Sequence, residues 1–149
     1  LGKKPYLCGT IRTDKLFSFI FQQPIISNSM ALHNETGKWG EQIACKYLMR
    51  EGYRIVERDW KYGQRDIDIV AIENDVYIFI EVKTRRNEQF ANADTAVTPQ
   101  KIRSISIAAN AYIKGHCLNR EIRFDIITIV GMPDKYEIRH VKDAFLPFI

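Results

Sequence analysis

Cysteine is scarce. Cys8, Cys45 and Cys117 are odd in number and form no CxxC pair, which excludes a disulfide framework or a thiolate zinc site as the organising feature and fits a reduced, cytoplasmic setting. Long hydrophobic runs are missing as well. The longest near the start, Leu16 to Phe21, is interrupted by Ser18, too short for a membrane span and poorly placed for a signal peptide. The chain carries no P-loop, no dinucleotide fingerprint and no Ser/His/Asp arrangement, and His33, His116 and His140 lack ligand spacing. These absences remove the commonest nucleotide-binding, acyl-transfer and zinc chemistries. Trp39 and Trp60 read as core anchors rather than base-stacking platforms.

A strong charge imbalance is also lacking in the body of the chain. The formal charge is +4, yet residues 1–29 hold Lys3, Lys4, Arg12 and Lys15 against Asp14 alone, leaving 18 basic and 17 acidic groups in residues 30–149. Global charge therefore says nothing about a polyanionic partner, and local clustering must.

What is present is an ordinary globular composition, 149 residues with 46% hydrophobic and 27% charged, enough for one domain. Residues 1–29 show no helical or strand period, end in the turn-rich Ser27-Asn28-Ser29 and precede Met30, a candidate alternative start. They read as an extension outside a single domain over residues 30–149; the alternative is a docked N-terminal arm, since Phe17, Phe19, Ile20 and Phe21 would need burial.

From Trp39 the residues Ile43, Ala44, Tyr47 and Leu48 recur at helical spacing, with Gly52 placed for a left-handed C-cap. Tyr53–Val56 reads as a strand and Lys61–Gln64 as a turn. Asp66–Ile72 and Val76–Thr84 read as a hairpin. Residues 85–97 lack a period and read as a mobile loop. Thr98 and Pro99 begin a second helix with the stripe Ile102, Ile105, Ala109, Tyr112 and Ile113, ending at Gly115. Strands at Phe124–Val130 and Tyr136–Arg139 complete an αβββαββ order.

The hairpin carries the chemistry. A two-residue turn at Asn74-Asp75 makes paired positions sum to 149, so Asp68 faces Glu81 and Asp66 faces Lys83, while Ile67/Val82 and Ile69/Ile80 pair on the reverse face. Opposed carboxylates disfavour a sheet unless a cation neutralises them. Oxygen ligands suit Mg²⁺ or Mn²⁺, and Lys83, two residues beyond Glu81 on the same face, can hold or polarise a water. A surface Glu81–Lys83 ion pair, or a structural Asp66–Lys83 pair, is the plainer alternative. Against it, Val70, Phe79, Ile72 and Tyr77 share that face and mark it as covered, where unpaired charge is costly.

Positive charge clusters at Arg85 and Arg86, directly after this strand, and at Lys101 and Arg103 in the first turns of the second helix. A phosphate would offset the repulsion between those cations and the helix macrodipole, making the four candidate nucleic-acid contacts.

Gly40-Glu41-x-x-Ala44, Gly52-Tyr53, Asp66-Ile67-Asp68-Ile69-Val70, Phe79-Ile80-Glu81-Val82-Lys83-Thr84-Arg85, Lys101 and Tyr112 on a helix, and Arg123-Phe124-Asp125 together resemble the YraN-like uncharacterised family over residues 36–130. That family resembles the PD-(D/E)xK restriction-endonuclease-like fold and its Holliday-junction resolvases. The resemblance implies a three-layer α/β fold, a mixed central sheet flanked by helices. It implies Asp68 and Glu81 as metal ligands with the Val82 carbonyl as a third, Lys83 as the catalytic lysine and Glu41 as an accessory carboxylate. The implied activity is Mg²⁺- or Mn²⁺-dependent endonucleolytic cleavage of DNA, with branched DNA in repair or recombination as the preferred substrate. Symmetric cleavage of a junction would call for a homodimer. Gln64-Arg65-Asp66 departs from the glycine and glutamate common in the family at that place, a change that bears on substrate access. The alternatives are a non-catalytic nucleic-acid-binding module that keeps the fold, and a nuclease acting on RNA or single strands.

Overall fold

The computed structural model describes residues 28–86 and 97–147, with side chains from residue 35 onward. The expected extension and the expected loop therefore lie mostly outside the described residues. The elements are α1 (Asn28–Arg50), β1 (Arg54–Tyr62), β2 (Arg65–Glu73), β3 (Val76–Arg85), α2 (Pro99–Gly115), β4 (Ile122–Met132) and β5 (Lys135–Val141). This is the αβββαββ order, in one five-stranded sheet ordered β1-β2-β3-β4-β5. All neighbours are antiparallel except β3 and β4, which run parallel because α2 carries the chain back between them. Among the described residues no helix is long and apolar enough to cross a membrane.

Local sequence accounts for most boundaries. Gly52 at φ +88° ends α1, with Tyr53 N donating to Leu48 O and Gly52 N to Met49 O, the paired bonds of a Schellman cap. Asn74 and Asp75 both adopt positive φ, as a two-residue type I′ hairpin turn requires. Thr98 caps α2 by accepting from Lys101 N at 3.2 Å, with Pro99 in the first turn.

Two boundaries differ most from the sequence reading. α1 begins at Asn28, well ahead of Trp39, because periodicity marks only the part of a helix packed on a core, and exposed Glu35 and Lys38 leave no such trace. β1 runs on to Tyr62 through the polar Glu57-Arg58-Asp59. It is an edge strand, and its bulge between Ile55 and Glu57 breaks the two-residue alternation.

The helices lie on opposite faces of the sheet, giving three layers. Ala44, Cys45 and Leu48 of α1 pack with Ile69, Ile78, Ile80 and Ile127. Ile105, Ala108, Ala109 and Tyr112 of α2 pack with Val70, Phe79 and Phe124 on the other face. Each fully buried Leu, Ile or Phe contributes about 1.5–3 kcal/mol. Cys45 and Cys117 are free thiols.

Candidate active site

The β2–β3 register is the expected one from Glu73↔Val76 to Ile69↔Ile80, and there it stops. Ile67 and Val82 would form the next hydrogen-bonded pair. The Val82 N–H donates instead to Asp68 Oδ2 at 2.7 Å. The strands part at the carboxylates, so the expected facing of Asp66 with Lys83 does not occur. Ile67, expected on the reverse face, joins the α2-side core with Trp60.

Four elements converge on the opening. β2 supplies Asp68 and β3 supplies Glu81 and Lys83. α2 supplies Lys101, and α1 supplies Glu41; these line one cleft of about 270 Å³. α1 reaches β3 closely because Gly40 is buried against Thr84: a Cβ at Gly40 would run into Thr84 Oγ1. Glu41, next along the helix, is thereby held at the mouth.

The ion pairs are specific. Lys83 Nζ donates to Glu81 Oε1 at 2.5 Å. That pair was the plainer alternative, but Glu81 is only 2% exposed, so it is no surface contact. Lys101 Nζ donates to Asp66 Oδ1 at 2.8 Å and lies 3.3 Å from Glu81 Oε2. Asp66 is thus paired with α2 rather than with Lys83. Despite Lys101, Glu81 Oε2 is buried and accepts no hydrogen bond from the described residues.

Burial, reinforced by the charge of Glu81, pushes the Asp68 carboxyl up to about 7, against the opposing hydrogen bond from Val82 N. Burial, helped by Asp59, also raises Glu41. Burial alone would lower Lys101; the carboxylates of Glu81 and Asp66 reverse the sign and raise it. For Asp66, burial works upward but is outweighed by the Lys101 hydrogen bond and charge, and its carboxyl is lowered. The cleft therefore holds more carboxylate than its two ammonium groups balance comfortably. A buried carboxylate oxygen without a hydrogen bond from the described residues and a neighbouring carboxyl that resists ionisation are groups whose charge a cation would neutralise. Asp68, Glu81 and the Val82 carbonyl fit Mg²⁺ or Mn²⁺ by donor type, although among the described residues no three His, Cys, Asp or Glu side chains are gathered tightly enough to enclose a metal.

The four basic residues expected as nucleic-acid contacts are distributed rather than pooled. Lys101 is a counter-ion inside the cleft. Arg85 Nη1 donates to Thr84 O at 3.2 Å. Arg86 lines a cavity with Trp39 and Met132 on one flank, and Arg103 lines a second cavity on the other. The role of Lys101 was not visible in sequence, since its contact with Asp66 spans 35 residues.

A second buried polar cluster also escaped the sequence reading. Asp125, 0% exposed, accepts from Arg123 Nε at 2.8 Å, Arg123 Nη2 at 2.9 Å and Asp143 N at 3.0 Å, with His140 Nε2 at 2.9 Å. Arg123 continues to the Tyr53 hydroxyl and to Glu73. This network ties β4 to β5 and to the end of α1. Only the Arg-x-Asp spacing, which puts both side chains on one strand face, hinted at it.

Comparison with known proteins places the chain. The model of the uncharacterised protein family UPF0102 matches residues 40–129, a span that encloses every cleft carboxylate and lysine named above. A UPF0102 protein of Bacteroides fragilis is 48% identical over 118 residues, 79% of this chain and 98% of that relative. One of Phocaeicola vulgatus is 46% identical over 118 residues, with the same coverage. One of Flavobacterium psychrophilum is 38% identical over 119 residues, 80% of this chain and 100% of the relative. The chain belongs to the uncharacterised protein family UPF0102.

Proposed function

We propose that the cleft is the active site of a restriction-endonuclease-like, metal-dependent nuclease that hydrolyses DNA phosphodiester bonds, with branched DNA as the preferred substrate. The observation that carries this reading is the meeting of Asp68, Glu81 and Lys83 at one opening, with a buried Glu81 oxygen that no hydrogen bond from the described residues satisfies. Asp68, Glu81 and the Val82 carbonyl would hold Mg²⁺ or Mn²⁺, which supplies charge neutralisation at the phosphodiester and lowers the pKa of the attacking water.

The chain's own residues do the rest. Lys83, held at Glu81 with its side chain 24% exposed, keeps N–H donors to orient the attacking water or to meet the phosphodiester oxygens, on which negative charge grows as the water oxygen bonds to phosphorus and the bond to the leaving oxygen breaks. Lys101 fixes Glu81 and Asp66 from the α2 side. Glu41, its carboxyl raised by burial, is placed to take up a proton. Gly40 holds Glu41 there through its contact with β3.

The deciding experiment offers junctions, flaps, single strands, duplexes and RNA to the wild type with Mg²⁺ or Mn²⁺. Asp68→Asn, Glu81→Gln and Lys83→Ala serve as controls, with circular dichroism to verify the fold. Cleavage by the wild type and loss of about 10²-fold or more in each variant is expected. Undiminished cleavage in both carboxylate variants would remove the metal-site assignment. Binding without turnover would leave the non-catalytic module.

A further inference from the structure

Beside the carboxylate cleft lies a second cavity of about 330 Å³, lined by Gln64, Arg65, Gln100, Arg103, Ser104 and Ile107. Its walls come from the β1–β2 turn and from one face of α2, where Gln100, Arg103, Ser104 and Ile107 recur at helical spacing. No carboxylate is among these lining residues. Neither Arg65 nor Arg103 makes an ion pair among the described residues, and Asp66, the acid next to Arg65 in the chain, is paired with Lys101. Arg65 is half-buried and Arg103 exposed. Among the described residues, two guanidinium groups thus line one hollow without a counter-charge, an arrangement that an anion stabilises.

We propose that this cavity binds a backbone phosphate of the DNA strand, at a position flanking the one that reaches the carboxylates. The inference rests on the reading of the cleft as a nuclease site and adds the strand's path on the α2 side. A guanidinium presents a planar fork of donors that matches two phosphate oxygens. The Gln64 and Gln100 amides and the Ser104 hydroxyl add uncharged donors of the kind that contact phosphate and sugar. The chain order fixes the geometry. Arg65 directly precedes Asp66, and Arg103 follows Lys101 by two residues, so the Asp66–Lys101 ion pair stands where the two hollows approach each other. The acidic hollow takes the group to be cut, and the arginine hollow holds its neighbour. Gln64 and Arg65, two residues of the Gln64-Arg65-Asp66 segment, are then a device for gripping the strand.

The test is fluorescence anisotropy of a labelled DNA oligonucleotide in EDTA, between about 50 and 200 mM salt. Wild type sets the reference slope. Arg65→Gln/Arg103→Gln should bind several-fold more weakly at the low-salt end, with its slope of log affinity against log salt reduced by about 1–2 and its melting temperature unchanged. Arg65→Lys/Arg103→Lys, which keeps the charge, should retain most of the slope. An unchanged slope in the double glutamine variant overturns the inference and leaves the proposed hydrolysis standing. Binding that depends on both arginines, in a protein that cleaves nothing, removes the hydrolysis and leaves the strand path. Inorganic phosphate at matched ionic strength that displaces the oligonucleotide from wild type, but not from the double variant, would reassign the cavity to a free anion.

Discussion

Lys101 Nζ lies 3.3 Å from Glu81 Oε2, joining the first turn of α2 to a carboxylate oxygen at the centre of the sheet that accepts no hydrogen bond from the described residues. The contact crosses two layers, and it makes α2 part of the site as well as part of the core.

Removing that ammonium should therefore be felt in stability. Lys101→Met should cost about 1–3 kcal/mol, because it strips one of two counter-charges from the buried Glu81 and the partner from Asp66. Lys83 remains beside Glu81 and limits the loss. In urea unfolding, Glu81→Gln/Lys101→Met should cost less than the two single variants added together. Strict additivity would mean that the two groups are not coupled.

Asp68 should set a pH dependence of its own. The folded protein raises its carboxyl from 3.8 to about 7, so it holds the proton more tightly than the unfolded chain does. Its contribution to stability is present in full below about pH 4 and is lost as pH rises through about 7. Asp66 and Asp125, both lowered, act in the opposite sense at acid pH and are common to both proteins compared. Asp68→Asn, whose amide oxygen can still accept from Val82 N, should melt higher than wild type at pH 8 by more than about 2 °C. The difference should shrink toward pH 4. A constant difference across that range would contradict the assignment.

Divalent metal should raise the melting temperature of the wild type, since a ligand that selects the folded state stabilises it by mass action. Neither Asp68→Asn nor Glu81→Gln should respond fully. In metal-free protein, repulsion from Asp68 alone would make Glu81→Gln stabilising. The two ammonium groups around Glu81 reverse that sign, and Glu81→Gln should melt lower. A thermal-shift titration with Mn²⁺, reversed by EDTA, checks both statements, and a wild-type response equal to that of the variants would exclude the proposed ligands.

Gly40→Ala should drive α1 off β3. The new Cβ would collide with Thr84 Oγ1, and threonine, branched at Cβ, has little rotamer freedom with which to retreat. A cost of about 1–3 kcal/mol is expected. Thr84→Ala in the same protein should recover most of it, since the remaining neighbours, the Cβ of residue 84 at 3.4 Å and Ile129 Cδ1 at 3.7 Å, lie at ordinary van der Waals distance. Failure of that rescue would place the strain elsewhere.

Sequence by itself determined the αβββαββ order, the α2 cap at Thr98, the glycine end of α1 and the hairpin register. These are local properties: two positive-φ turn residues and a side-chain period of two leave one register that buries both apolar sets. It also put Asp68, Glu81 and Lys83 in one neighbourhood, because a hairpin brings its own two strands together. Tertiary structure alone decided that pairing stops at Ile69 and Ile80, that Asp66 turns to Lys101 rather than Lys83, and that Arg86 and Arg103 sit on opposite flanks. Those outcomes depend on where α1 and α2 dock, which the shapes of both buried faces fix together. Periodicity shows which face of a helix is buried, but not where along the sheet that helix comes to rest, and so not which strand carboxylate its lysine will reach.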